Sequence, residues 1–224
     1  MIKIDQLIRS NRRTIGLQIT NDARLIVRAP FYTSEAHILR LLQRKESWIN
    51  EKQDFFIKRL KKVSIKKFIP GEEFLLLGKN YPLIVNEDLP KAVVLENESL
   101  MVSPMVLGNL RDHLEKWYKQ HALEYFTQRV NEYCSLTGLK YSSIKVNEAT
   151  TRWGSCGYKD TLNFTWRLIM APPRVIDYVV VHELMHVKQK NHSCKFWSEV
   201  RKVIWDYKQD ERWLKENSHD LKWS

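Results

Sequence analysis

The chain of 224 residues is poor in glycine and proline, seven of each, and has only three cysteines. So little Gly and Pro excludes a collagen-like or low-complexity chain, and 43% hydrophobic with 11% aromatic residues excludes a disordered one. Long apolar runs are missing too. The longest are four residues, as in Phe74 to Leu77 and Tyr178 to Val181, whereas a membrane-spanning helix needs roughly 18 or more, so no membrane partner is expected. The opening residues MIKIDQLIRSNR are studded with charge and lack the apolar centre of a secretory signal. Cys134, Cys156 and Cys194 are odd in number and irregular in spacing, which argues against a disulfide framework and for a reducing compartment. The expected location is cytoplasmic.

Negative charge is the scarcer sign, with 26 Asp and Glu against 37 Lys and Arg, for a net charge of +11. An excess of that size favours phosphate-bearing or acidic partners. It is concentrated in residues 1–70, which carry +10, against −4 over 71–105, +1 over 106–150 and +4 over 151–224. Any electrostatic partner, a nucleic acid or nucleotide included, is therefore expected at the N-terminal third.

Hydrophobic periodicity divides the chain. Ile15, Leu17 and Ile19 alternate with polar residues, Asn21-Asp22 supplies a turn, and Leu25, Val27 and Ala29 resume the alternation, which predicts a hairpin. From Ser34, a suitable N-cap, Ile38, Leu41, Leu42, Trp48, Ile49, Phe55, Phe56, Leu60 and Val63 recur at the spacing of one long amphipathic helix. Its end holds six basic residues in ten, from Lys58 to Lys67. Phe68 to Ser103 reads as short strands broken at Pro70-Gly71, Gly78-Lys79-Asn80 and Glu96-Asn97-Glu98. Met105 to Thr137 reads as a helix with Leu107, Leu110, Leu114, Trp117 and His121 on one face, stopped by Gly138. Strands are expected at Ser142 to Val146 and Leu162 to Ile169, and helices follow. The fold class is α+β: a small β-rich basic domain with a long helix over residues 1–103, then a second domain over 104–224.

The chemistry is concentrated in VVVHELMHVKQKNHS. His182 and His186, four residues apart, share one face of a helix and can hold one metal ion. Glu183 sits about 100° round from His182, placed to address a metal-bound water without being a ligand, which is the logic of the H-E-x-x-H helix. His192 is the expected third ligand, reached through a left-handed helix ending at Asn191, with Cys194 or a carboxylate as the replacement. Three imidazoles and a water form an open catalytic site, and that donor set suits zinc. Val175, Ile176, Val179, Val180 and Val181 are β-branched and favour a strand by propensity. The length of the run and its Pro172-Pro173 start favour the helix. His37, His113, His121 and His219 read as structural or exposed.

The chain resembles the YgjP-like metal-dependent hydrolases, a group of zinc metallopeptidases related to the SprT-like and WLM families. The likeness rests on RSNRRTIGLQI with LIVRAP, TRWGSC from Thr151 to Cys156, NFTWRLIMAPPRVIDYVVVHELMH, NHSCKFW and the closing WLKEN. It implies a zincin-like C-terminal domain in which His182, His186 and His192 bind zinc and Glu183 is the general base in peptide hydrolysis. In zincins an extended substrate pairs with an edge strand above the helix, and Leu162 to Ile169 is the candidate. Arg152 or Tyr178 would donate to the oxyanion, with Trp153 also a candidate for substrate contact. Packing of the turn beneath the sheet is the other reading of Arg152 and Trp153. Metzincins share the His spacing but place Gly midway, where this chain has Gln189.

Two other functions fit the same residues. The metal centre can hydrolyse a nucleotide or polyphosphate delivered by the basic domain, although no G-x-x-x-x-G-K-[ST] loop is present. A closed site completed by Cys194 or Cys156 would instead staple a nucleic-acid-binding module. SprT-like and WLM proteins act on DNA-linked proteins, so nucleic-acid binding is also compatible with peptidase activity.

Overall fold

The computed structural model describes residues 2–20, 22–62 and 66–223, with side chains for all of these except 58–62. Asn21 of the expected turn, Val63 of the expected stripe, and the side chains of Lys58, Arg59, Leu60, Lys61 and Lys62 lie outside the described residues. The chain divides into two compact units between residues 65 and 66.

In the first unit β1 (Gln6–Ser10), β2 (Gly16–Ile19) and β3 (Leu25–Pro30) form a sheet of order β1-β3-β2, with β2 antiparallel and β1 parallel to β3. Period-two alternation accounts for β2 and β3: Leu25, Val27 and Ala29 are fully buried, and Ile15, Leu17 and Ile19 pack against them. In β1 two apolar residues stand side by side, so the alternation that marks the other two is missing. Ser34 caps α1 (Glu35–Arg44), its hydroxyl accepting from the His37 N–H at 3.3 Å. The single long helix expected from Ser34 is two. It breaks at Lys45, whose φ of −107° and ψ of 13° leave the helical region, and resumes as α2 (Glu46–Lys62). Residues 43–47 are all polar and give the helix no anchor, while Leu42 and Ile49 on either side are buried in one cluster.

The second unit opens with β4 (Glu73–Leu76), β5 (Lys79–Val85), β6 (Val93–Glu96) and β7 (Ser99–Val102), in the order β4-β5-β7-β6. The division expected at residues 103 and 104 falls inside this unit, because Phe74, Leu76, Leu83 and Leu100 share one core with residues beyond 104. The β4–β5 turn is tied to that later segment: the Leu77 N–H donates to the Ile169 carbonyl at 2.8 Å and the Gly78 N–H to that of Met170 at 3.1 Å. A Cβ on Gly78, at φ +77°, would stand 3.1 Å from Pro172, so the close approach requires glycine.

A 3-10 turn, Pro104–Asn109, leads into α3 (Leu110–Thr137), which Gly138 ends at φ 70° with its N–H on the Cys134 carbonyl. The buried line runs through Leu110, Leu114, Tyr118, Ala122, Phe126 and Val130, not through Leu107, Trp117 and His121. Each step of four advances about 40° beyond a full turn, so the line winds round the helix and meets different partners. Tyr118 donates to the Leu75 carbonyl at 3.0 Å, and further along Phe126 meets Phe164 at 5.3 Å.

β8 (Ser143–Asn147), β9 (Gly154–Cys156) and β10 (Thr161–Thr165) form the third sheet, in the order β8-β10-β9. The strand expected to run to Ile169 stops at Thr165 and continues as a buried 3-10 turn, Trp166–Met170. β10 is the central strand, paired on both sides, and offers no edge to a substrate. This corrects the expectation for Leu162 to Ile169.

α4 (Pro173–Lys188) starts at Pro173, followed by α5 (Cys194–Val203) and α6 (Tyr207–Asn217). The β-branched residues of α4 take helical geometry because tertiary burial outweighs propensity: Val175, Ile176, Val179, Val180 and Val181 are all buried. Two ion pairs hold the helix, Arg129 of α3 to Asp177 at 2.6 and 2.8 Å, and Arg174 to the buried Asp210 of α6 at 2.6 Å. No described helix is long and apolar enough to cross a membrane. Phe126→Ala is expected to cost about 3–5 kcal/mol and to lower Tm by roughly 10 °C. Leu107→Ala, in the exposed turn before α3, should cost about 0.5 kcal/mol or less. Thermal unfolding of both variants checks the winding face, and equal losses would contradict it.

Candidate metal centre and cleft

Three imidazoles converge at the C-terminal end of α4. His182 and His186 come from successive turns, and the chain then leaves the helix at Gln189, whose φ of −133° and ψ of 102° are extended. Asn191 is not left-handed, contrary to expectation. Its side chain instead accepts from the Ser193 N–H at 3.3 Å, an Asx turn that leads into α5. His192 is returned by this path. Its Nε2 is 2.9 Å from Nε2 of His182 and 3.2 Å from Nε2 of His186, and the candidate donor atoms all lie within 4.8 Å of one another. Among the described residues neither Cys156 nor Cys194 joins this group. All three cysteines are free.

Nitrogens this close cannot all carry protons, and a shared acceptor of their lone pairs fits the geometry. Burial pushes the His182 pKa down to about 3, with the neighbouring His186 and His192 adding to the effect. Burial also lowers that of His186. Both are thus held in the neutral form that binds metals. His186 Nδ1 stands 2.9 Å from the Gln189 carbonyl. That contact places the proton on Nδ1 and frees Nε2 for a cation. The ring of Phe196, a residue without a role in the sequence reading, stacks on His186 at 4.5 Å and lies 4.9 Å from His182 and 4.8 Å from His192. One apolar side chain thereby orients all three. A preoriented set of imidazole nitrogens fits a divalent cation of the zinc type.

Glu183 is only 6% exposed. Burial pushes its pKa up to about 8, opposed by the charge of Arg152 and by a hydrogen bond from the Cys156 backbone. That bond follows from strand geometry. The Thr165 N–H donates to the Trp153 carbonyl and the Gly157 N–H to that of Thr161, so odd-numbered residues of this segment turn their backbone groups toward β10. Gly154 and Cys156 alternate with them and turn outward. β9, and not β10, is therefore the sheet edge beside Glu183. Gly154 must be glycine for a separate reason, because an added Cβ would lie 2.6 Å from Cγ of Glu183.

A cleft of about 570 Å³ adjoins the imidazoles. Its lining includes His182, Glu183 and all three residues expected to contact substrate, Arg152, Trp153 and Tyr178. Tyr178 lies parallel to Tyr207 at 6.1 Å, and its burial raises the pKa, which keeps the hydroxyl a donor. The far wall, from Glu211 to Lys222, escapes sequence reasoning because WLKEN in α6 carries the family resemblance but no chemical role, and only the fold brings it across the cleft. The alternation of buried Leu221 and Trp223 around Lys222 is the one local signal.

An α+β fold with three convergent imidazole nitrogens and a buried carboxylate beside a cleft defines a metal-dependent hydrolase. The chain belongs to the YgjP-like metallopeptidase domain family, which it matches over residues 13–217, and at the level of that family it is a metal-dependent peptidase. Among solved structures it is similar to two metallopeptidase zymogens. One is abylysin of Pyrococcus abyssi, at 19% identity and TM-score 0.38 over 41% of this chain and 93% of that one. The other is jannalysin of Methanocaldococcus jannaschii, at 26% identity and TM-score 0.36 over 40% of this chain and 91% of that one. No curated protein matches the sequence.

The Gly154–Glu183 contact is open to a direct test. Gly154→Ala should destabilise the fold by about 1–3 kcal/mol through overpacking. Combined with Glu183→Ala it should cost less than the two single changes together, by about 1 kcal/mol or more. Strict additivity in denaturant unfolding would show that the two residues do not touch.

Proposed function

We propose that the protein is a zinc-dependent peptidase in which His182, His186 and His192 hold the metal and Glu183 is the general base. The observation that carries this reading is the meeting of three imidazole nitrogens next to a buried carboxylate and an open strand edge. When bound, zinc supplies Lewis acidity to the scissile carbonyl and to the attacking water.

This chain's residues do the rest. An extended peptide adds to β9, where the outward N–H and C=O of Gly154 are available for pairing. Glu183 accepts the proton of the attacking water and returns it to the leaving amine. Its burial raises the proton affinity of the carboxylate, which makes it a stronger base toward the attacking water. Tyr178, lining the cleft, donates to the oxyanion, and Arg152 on the same cleft contacts the substrate. Trp153 forms part of the same wall. The three free thiols support a reducing compartment, the cytoplasm, as the place of action.

Glu183→Gln should retain one equivalent of zinc, measured by elemental analysis, and lose hydrolysis of an unfolded protein substrate by about 10²- to 10⁴-fold. Chelation should abolish the wild-type activity and zinc should restore it. Undiminished turnover by Glu183→Gln would refute the role of the carboxylate. Chelator-sensitive hydrolysis of nucleoside triphosphates, with none of unfolded protein, would move the same centre to phosphoanhydride chemistry.

A further inference from the structure

The cleft beside the imidazoles is lined by more cations than anions. Arg152, Arg167, Lys215 and Lys222 face Glu183 and Glu211. Local pairing removes part of this charge: Lys215 bonds Glu211 at 2.8 Å. Arg167 lies over the Trp166 ring at 4.6 Å and donates to the backbone carbonyl of Glu148, whose carboxylate is engaged by Lys119. Arg152 and Lys222 remain, with no hydrogen bond or ion pair among the described residues, apart from the electrostatic influence of Arg152 on Glu183.

The neighbours of both are anchored. Lys222 sits between Leu221, fully buried, and Trp223, 8% exposed. Trp223 packs against Trp166 at 4.8 Å and Tyr118 at 4.9 Å. With its neighbours plugged into the core, the intervening side chain is turned out along the cleft wall. Arg152 directly precedes the half-buried Trp153 at the start of the β9 edge. Val179 and Leu214 supply apolar lining to the same cleft. Such a lining suits an anionic head on an aliphatic stem, carried by a chain that lies along β9.

We infer that the cleft selects peptides with an acidic residue beside the scissile bond, its carboxylate received by Arg152 and Lys222. The inference rests on the peptidase reading above. Concave, low-dielectric walls strengthen the attraction of unpaired cations for a carboxylate, and the planar guanidinium can take both its oxygens.

The test uses the full chain loaded with zinc and has separate readouts for turnover and binding. In a mixed peptide library, with cleavage sites mapped by mass spectrometry, Asp and Glu should be enriched about tenfold at one position next to the cut. The double variant Arg152→Gln/Lys222→Gln should lose that enrichment, and Arg152→Glu/Lys222→Glu should replace it with a preference for Lys. Both positions are exposed, so the variants are expected to unfold at the wild-type temperature, which is measured alongside. Binding is read on zinc-loaded Glu183→Gln by fluorescence polarisation of two labelled peptides that differ only in Glu against Gln. The Glu peptide should bind about tenfold more tightly, with the advantage shrinking as salt rises.

Cleavage without acidic enrichment, or enrichment unchanged by charge reversal, overturns the inference and leaves the peptidase reading standing. Equal binding of the two peptides overturns it as well. Displacement of the Glu peptide by a nucleoside triphosphate at far lower concentration than by unlabelled Glu peptide assigns the cations to phosphate and overturns it too. Selective binding of the Glu peptide with no cleavage of any peptide supports the cationic cleft while refuting the peptidase reading.

Discussion

The burial of Glu183 is the constraint from which the rest of the second unit follows. A carboxylate that is 6% exposed is stable only where some polar group meets it, and here that group is the backbone of Cys156 in β9. The strand must therefore lie directly against α4, and it can do so only without a side chain at residue 154. α4 in turn is apolar nearly all round and has to be covered on every side. α3, α5, α6 and β9 provide that cover, and the Arg129–Asp177 and Arg174–Asp210 pairs fix two of these contacts. Ion pairs of this sort act mainly through geometry, since partial burial offsets much of their attraction.

The same packing places the chemistry. His182 and His186 gain their common face from helical periodicity, but their orientation comes from outside the helix. Phe196 of α5 touches all three imidazoles, and the Gln189 carbonyl fixes the proton of His186. The polar end of α4 is therefore kept in register by an apolar contact and one backbone group. The cleft is built likewise from distant pieces: the turn before β9, one side of α4, and the segment from α6 to Lys222. Anchoring of the chain's end through Leu221 and Trp223 gives that last wall its position.

Much of this was legible in the residue order wherever the deciding forces are local. The alternation of Leu25, Val27 and Ala29, the cap at Ser34, the stop at Gly138 and the start at Pro173 each state a backbone preference that neighbours a few residues away cannot overrule. The i, i+4 placement of His182 and His186 with Glu183 between them is of the same kind. Other features were not legible. The break at Lys45 depends on where Leu42 and Ile49 must both reach the same core. The winding of the buried line on α3 depends on partners that change along its length. The strands from Glu73 to Val102 have unmistakable strand character, yet only hydrogen bonds from Leu77 and Gly78 to a segment some ninety residues later show which unit they join.

By itself, the order of residues determined the α+β character and the helix that sets His182 and His186 on one face with Glu183 between them, because periodicity, caps and side-chain spacing operate over one or two turns of chain. The tertiary structure alone decided that β9 and not β10 is the edge beside Glu183, that His192 returns through an Asx turn at Asn191, and that Arg152 and Lys222 face one cleft. Those outcomes are settled by which surfaces must be buried together, and burial is a property of the whole packed unit and not of any short stretch of sequence.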